Sequence, residues 1–129
     1  MKFKAAFATD DGKTFMERHF GDALFYDIYE VKDDKALFVK RIENTVPEEE
    51  ELHADPRKAK GISSLLLKEN VTVVVSKIFG PNIKRIRKKF VCIVIKNGTI
   101  DDAVHRIIKN LDLIKGEWNK DENRSHLML

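Results

Sequence analysis

The chain has 129 residues, 43% hydrophobic and 35% charged, with a formal net charge of +3. This fits one globular domain with a heavily charged surface and excludes two ordinary domains. No apolar run approaches the ~20 residues of a membrane span, and the single cysteine, Cys92, excludes an intrachain disulfide and a multi-cysteine metal site built from one chain.

Lys2-Phe3-Lys4-Ala5-Ala6-Phe7-Ala8 reads as a first strand, ended by Asp10-Asp11-Gly12. Its apolar stretch is too short for a signal peptide and is followed at once by acidic residues, so the expected location is the cytoplasm, with no membrane partner. A loop of about fourteen residues follows, where a tight hairpin needs only ~2–5. At its core stand Arg18, His19, Phe20 and Gly21, a mixture that suits a ligand-binding loop better than a solvated connector. Leu24 to Val31 and Ala36 to Ile42 then read as an antiparallel hairpin across Lys32-Asp33-Asp34-Lys35.

Residues 44–60 have no apolar period and contain Pro47, Pro56, His53 and the run Glu48-Glu49-Glu50-Glu51. Consecutive carboxylates of this kind read as a solvated connector rather than a cation site. From Ala59 the period becomes helical through Ile62, Leu65 and Leu66, with Asn70 as terminator. Val71 to Val75 is almost uniformly β-branched, as expected of a strand buried on both faces of a parallel sheet. Gly80-Pro81 opens a predicted helix with Ile83, Ile86 and Phe90 inward and Lys84, Arg85, Arg87, Lys88 and Lys89 outward. Val91 to Ile95 is a further buried strand that leaves Cys92 as inert core. Thr99 and Asp102 then start a last helix with Ile100, Ala103, Val104, Ile107, Ile108 and Leu111 buried and His105 in water. The domain is expected to span 1–114, followed by a polar, frayed C-terminal tail at 115–129.

The order β-β-β-α-β-α-β-α predicts an α/β fold with a mixed five-stranded central sheet and helices on both faces. If the first strand runs parallel to those at 71–75 and 91–95, three connections meet at one carboxyl edge. A crevice there would gather His19, Arg18, Lys77 and the amides at the start of the Pro81 helix. Positive groups select an anion and a neutral imidazole ligates a metal, so an anion that contains a metal would use both. The charge distribution points the same way: residues 1–64 hold 11 Lys/Arg against 14 Asp/Glu, residues 65–129 hold 13 against 7.

Several short segments carry a family resemblance: Ala6-Phe7-Ala8-Thr9-Asp10-Asp11-Gly12, His19-Phe20-Gly21-Asp22-Ala23 leading into Phe25, the Gly61 helix, the apolar strand followed by Gly80-Pro81-Asn82, and Gly98-Thr99. In this order and spacing, over about residues 2–112, the chain resembles the dinitrogenase iron–molybdenum cofactor biosynthesis family, the NifX-like proteins. The resemblance implies a ribonuclease H-like three-layer fold and a role related to nitrogen fixation. It also implies a non-enzymatic carrier that binds an iron–molybdenum-type or iron–sulfur cluster and works with cluster donor or acceptor proteins. In the family the histidine of the His-Phe-Gly segment is linked to cluster binding, which makes His19 the expected metal ligand. Arg18, Phe20, Gly21, Lys77 and Gly80 would complete the cluster-binding crevice. The chain departs from the family in having Ser76-Lys77 where members commonly have a Gly-Gly pair, and in lacking a cysteine or further histidines near the crevice.

Two other functions compete. No nucleophile–base pair, phosphate loop or dinucleotide fingerprint is visible, so no catalytic residue is assigned. A metal-dependent nuclease would have to use Asp10, Asp11 and Asp27. A nucleic-acid or protein interaction module would use the Lys84 to Lys89 face, which lacks the interleaved aromatics of a single-strand platform, so nucleic acid is not the expected partner.

Overall fold

The computed structural model describes residues 2–46 and 56–129. The acidic run Glu48–Glu51, Pro47 and His53 lie outside the described residues. The hairpin forms as expected: β1 (Lys2–Thr9) pairs antiparallel with β2 (Phe25–Lys32), and β2 with β3 (Lys35–Glu43). After α1 (Pro56–Leu67), β4 (Val71–Ser76) joins the other side of β1 in parallel, and β5 (Val91–Val94) follows in parallel. The first strand is thus central.

The sheet has six strands, not five, in the order β3-β2-β1-β4-β5-β6. The additional strand, β6 (Leu127–Met128), comes from the segment expected to fray and pairs parallel with β5. Between them the chain stays helical as α3 (Ile100–Lys109) and α4 (Leu111–Trp118). Two residues are too few to show the alternation by which a strand is recognised, and Leu127 is held because it covers the apolar edge of Ile93.

Alternate residues of the central strands feed two cores. Ala6, Ala8, Val74 and Cys92 face Ile62 and Leu66 of α1 and Ile86. Ala5, Phe7, Val73, Val75 and Ile93 face Ala103 and Ile107 of α3 and Ile114 of α4. Helices on both faces explain why the parallel strands are unbroken apolar runs. At the far edge β3 is mostly exposed, and Val39 is an extra residue between Phe38, opposite Tyr29, and Lys40, opposite Ile28. Such a bulge twists an edge strand away from further pairing.

The helix expected from Pro81 to Phe90 shrinks to one turn, α2 (Ile83–Ile86). Lys84 and Lys88, like Arg85 and Lys89, would repel at i,i+4 spacing in a longer helix, and Phe90 is fully buried beside β5. The last helix starts as read: the Thr99 hydroxyl accepts from the Asp102 amide while the Asp102 carboxylate accepts from the Thr99 amide. His105 is exposed, as read. Among the described residues no helix is long and apolar enough to cross a membrane.

Candidate functional site

The loop after β1 and the turn after β4 meet at the carboxyl edge of the sheet. His19 forms an isolated parallel bridge with Ile78, which extends the β1–β4 neighbourhood beyond the strands themselves. Its side chain is exposed, and the ring rests on Gly80: a Cβ built there would stand 2.5 Å from His19 Nδ1. Gly80 also has φ +76°, in the left-handed region that side chains rarely adopt. Two separate constraints therefore favour glycine beneath the imidazole.

The segment that carries His19 is fastened from below. A single 3-10 turn covers Phe20–Asp22, closed by the Asp22 amide on the His19 carbonyl at 2.8 Å. Phe20 is fully buried, stacked on Phe79 with ring centroids 5.1 Å apart and also 5.1 Å from Tyr26. It anchors the loop in the core and presents no surface to a ligand, which corrects its placement in the crevice. The buried Tyr26 hydroxyl donates to the Phe20 carbonyl at 2.7 Å, and burial, with the Asp22 charge behind it, pushes that phenol far above its ordinary pKa. Asn44 donates to the carbonyls of Gly21 and Ala23 at 2.9 and 2.8 Å. Lys58 of α1, itself buried, pairs with Asp22.

Both cations expected to face an anion are already engaged. Arg18 forks onto Asp10 at 2.9–3.0 Å and donates to the Asp22 carbonyl at 3.0 Å. Lys77 pairs with Glu17, whose side chain is 74% exposed. The start of α2 offers no anion cradle either, because it is a single turn and the Ile83 amide donates to the Gly80 carbonyl. Ser76 is buried and donates to the Ile78 carbonyl, shaping the turn after β4.

The three aspartates of the nuclease alternative have separate duties. Asp10 holds Arg18 and accepts from the Leu24 amide at 3.0 Å. Asp11 accepts from the amides of Lys13 and Thr14 and from the Thr14 hydroxyl, each at 2.8 Å. These bonds, the Thr14 amide first, hold its carboxyl far below the usual range. Asp27 is buried and pairs with Arg41 at 2.7 Å. Among the described residues no three His, Cys, Asp or Glu side chains gather as metal ligands would. Cys92 is buried in the core, where desolvation pushes its thiol up to about 12, so it offers no thiolate at neutral pH.

The pattern of a His-Phe-Gly loop seated on a glycine after the fourth strand coincides with a family match over residues 1–110, described as dinitrogenase iron-molybdenum cofactor. The chain belongs to this family. No functionally curated protein matches it. Among solved structures it is similar to a provisionally assigned dinitrogenase of Methanocaldococcus jannaschii. With the crystal structure of that protein it shares 23% identity and a TM-score of 0.59, over 85% of this chain and 91% of the other. With the NMR structure the values are 22% and 0.61, over 86% and 91%. At this identity the likeness speaks for the mixed α/β fold alone.

The loop's fasteners were invisible to sequence reading. Asn44, Lys58 and Tyr26 reach Gly21, Asp22 and Phe20 from 23, 36 and 6 residues away, and no local motif marks them. The Gly80 contact was foreshadowed only by the Gly80-Pro81-Asn82 string.

Proposed function

We propose that this chain is a non-enzymatic carrier that holds an anionic metal cluster, iron–molybdenum or iron–sulfur in type, or its precursor, as cargo at the His19 edge. In this reading it exchanges the cargo with donor and acceptor proteins. The supporting observation is the exposed His19 imidazole on a loop whose every neighbour is fastened, within a chain of the cofactor family. A ligand held in place before binding loses little conformational entropy when it engages. His19 supplies one imidazole. Lys77 supplies positive charge by exchanging the solvated Glu17 for the cargo, a small loss because exposed pairs are worth only ~0–1 kcal/mol. Arg18, forked onto Asp10, braces the loop, as do Phe20 and Gly21. With no second histidine or cysteine gathered at His19 among the described residues, the remaining coordination belongs to the cluster's own ligands or to the partner that delivers it. The directions of the first five strands support assigning the fold to the ribonuclease H-like group.

The test pairs thermal melts with anaerobic titration of an iron–sulfur cluster followed by visible absorption. His19→Ala is expected to melt within ~0.5 kcal/mol of wild type, as exposed loop changes do, while cluster affinity falls. A variant that takes up the cluster as tightly as wild type would remove His19 from the site.

A further inference from the structure

Between α1 and α2 the surface opens into a groove of about 440 Å³ whose walls carry Lys60, Arg85, Lys88 and Lys89, with Ala59 and Leu67 as apolar lining. Among the described residues, Lys60, Lys88 and Lys89 form no ion pair, and Arg85 makes only a 3.2 Å bond to Asn82 Oδ1. Four cations are therefore gathered around an apolar strip in which Leu67 is 44% exposed.

A merely solvated lysine face needs no support from behind, but this one has it. Arg124, 5% exposed, donates to the carbonyls of Arg87 at 3.4 Å and Lys88 at 3.0 Å. The same guanidinium donates twice to the Trp118 carbonyl and lies 4.2 Å from the centre of the Trp118 ring. The α2 wall is thus tied to the C-terminal segment. α1 carries both Lys60 and Lys58, the latter paired with Asp22 of the His19 loop, so the groove and the candidate site share one helix.

We infer that this groove is a docking surface for an acidic amphipathic helix of a partner protein. Carboxylates at i,i+4 spacing would meet the Lys60 wall and the α2 wall, and one aliphatic side chain would settle on Leu67 and Ala59. A nucleic acid fits less well: among the described residues the lining contains no aromatic ring on which a base could stack. The inference stands apart from the cargo reading, since it requires no metal.

Fluorescence anisotropy with the full chain tests it, using a labelled helical peptide with glutamates at i,i+4 spacing and one leucine, the same peptide with glutamine for glutamate, and a single-stranded RNA of equal charge. The acidic peptide is expected to bind most tightly and to weaken with salt. The double variant Arg85→Glu/Lys88→Glu should lose roughly tenfold in affinity with unchanged melting. Leu67→Ser should weaken binding while leaving the salt dependence intact, which separates apolar docking from simple charge attraction. Tighter binding of the RNA, equal binding by the charge-reversed variant, or no binding of the acidic peptide would each overturn the proposal.

Discussion

At Gly80 two independent demands fall on one atom: a backbone φ of +76° and the His19 ring at 2.5 Å from any added Cβ. They can be separated by experiment. Gly80→Ala should cost about 1–2 kcal/mol for the left-handed backbone and a further ~1–3 kcal/mol for displacing the ring. In a His19→Ala background only the first part should remain, so a double-mutant cycle by urea denaturation should return a coupling of about 1–3 kcal/mol. Additive losses would mean that the ring moves aside freely. His19 would then lack the fixed seat on which its role as a preset ligand depends. The same residue shows the reach of sequence reading. A glycine before proline announces a turn, but nothing in the string Ser76-Lys77-Ile78-Phe79-Gly80 announces that a histidine some sixty residues earlier lies against it.

Among the elements, the loop from Thr9 to Thr14 is built around one carboxylate. Asp11 collects two amides and a hydroxyl, while the buried Thr9 hydroxyl accepts from the Gly12 amide at 2.9 Å and donates to the Thr14 carbonyl at 2.8 Å. The Ile100 amide on the Lys13 carbonyl at 2.9 Å then ties this loop to the start of α3. Because the folded state depresses the Asp11 pKa, its contribution is fully present above the unfolded value of about 3.9 and is lost as pH falls from there toward the lower folded value. Melts between roughly pH 5 and pH 2 should therefore fall less steeply for Asp11→Asn than for wild type. Parallel curves would assign the acid sensitivity elsewhere, to Glu30 or Asp102, whose pKa values are also lowered. Such local constructions are what a sequence displays best. Thr99 and Asp102 announced their capping box because the partners are three residues apart, and Val71 to Val75 announced a doubly buried strand by composition. α2 misled because its apolar spacing suits a helix while its like charges do not. Arg18 was expected to face an anion in the crevice because Asp10, eight residues earlier, read as a turn former or a nuclease carboxylate and not as its partner.

For the molecule as a whole, the segment after residue 110 closes the structure beyond the region shared with the family. α4 covers the second core through Ile114, β6 completes the sheet, and Arg124 ties this segment to the end of α2. Arg124→Leu removes the donor from the part-buried carbonyls of Arg87, Lys88 and Trp118 and is expected to cost about 1–3 kcal/mol in urea denaturation. A loss within ~0.5 kcal/mol, the range of ordinary surface changes, would mean that β6 alone secures the segment. The parallel direction of β6 has a practical corollary. Lys2 lies at the amino edge of the sheet, whereas the Leu129 amide bonds the Val94 carbonyl at the carboxyl edge, about 10 Å by strand spacing from β4, which leads to Ile78, the bridge partner of His19. Anything joined after Leu129 therefore leaves beside the loop edge, where a short tether holds its cargo at millimolar effective concentration. A polyhistidine tag fused there would offer imidazoles next to His19 and imitate metal uptake, while the same tag before Lys2 would sit at the opposite end of the sheet and leave the titration clean.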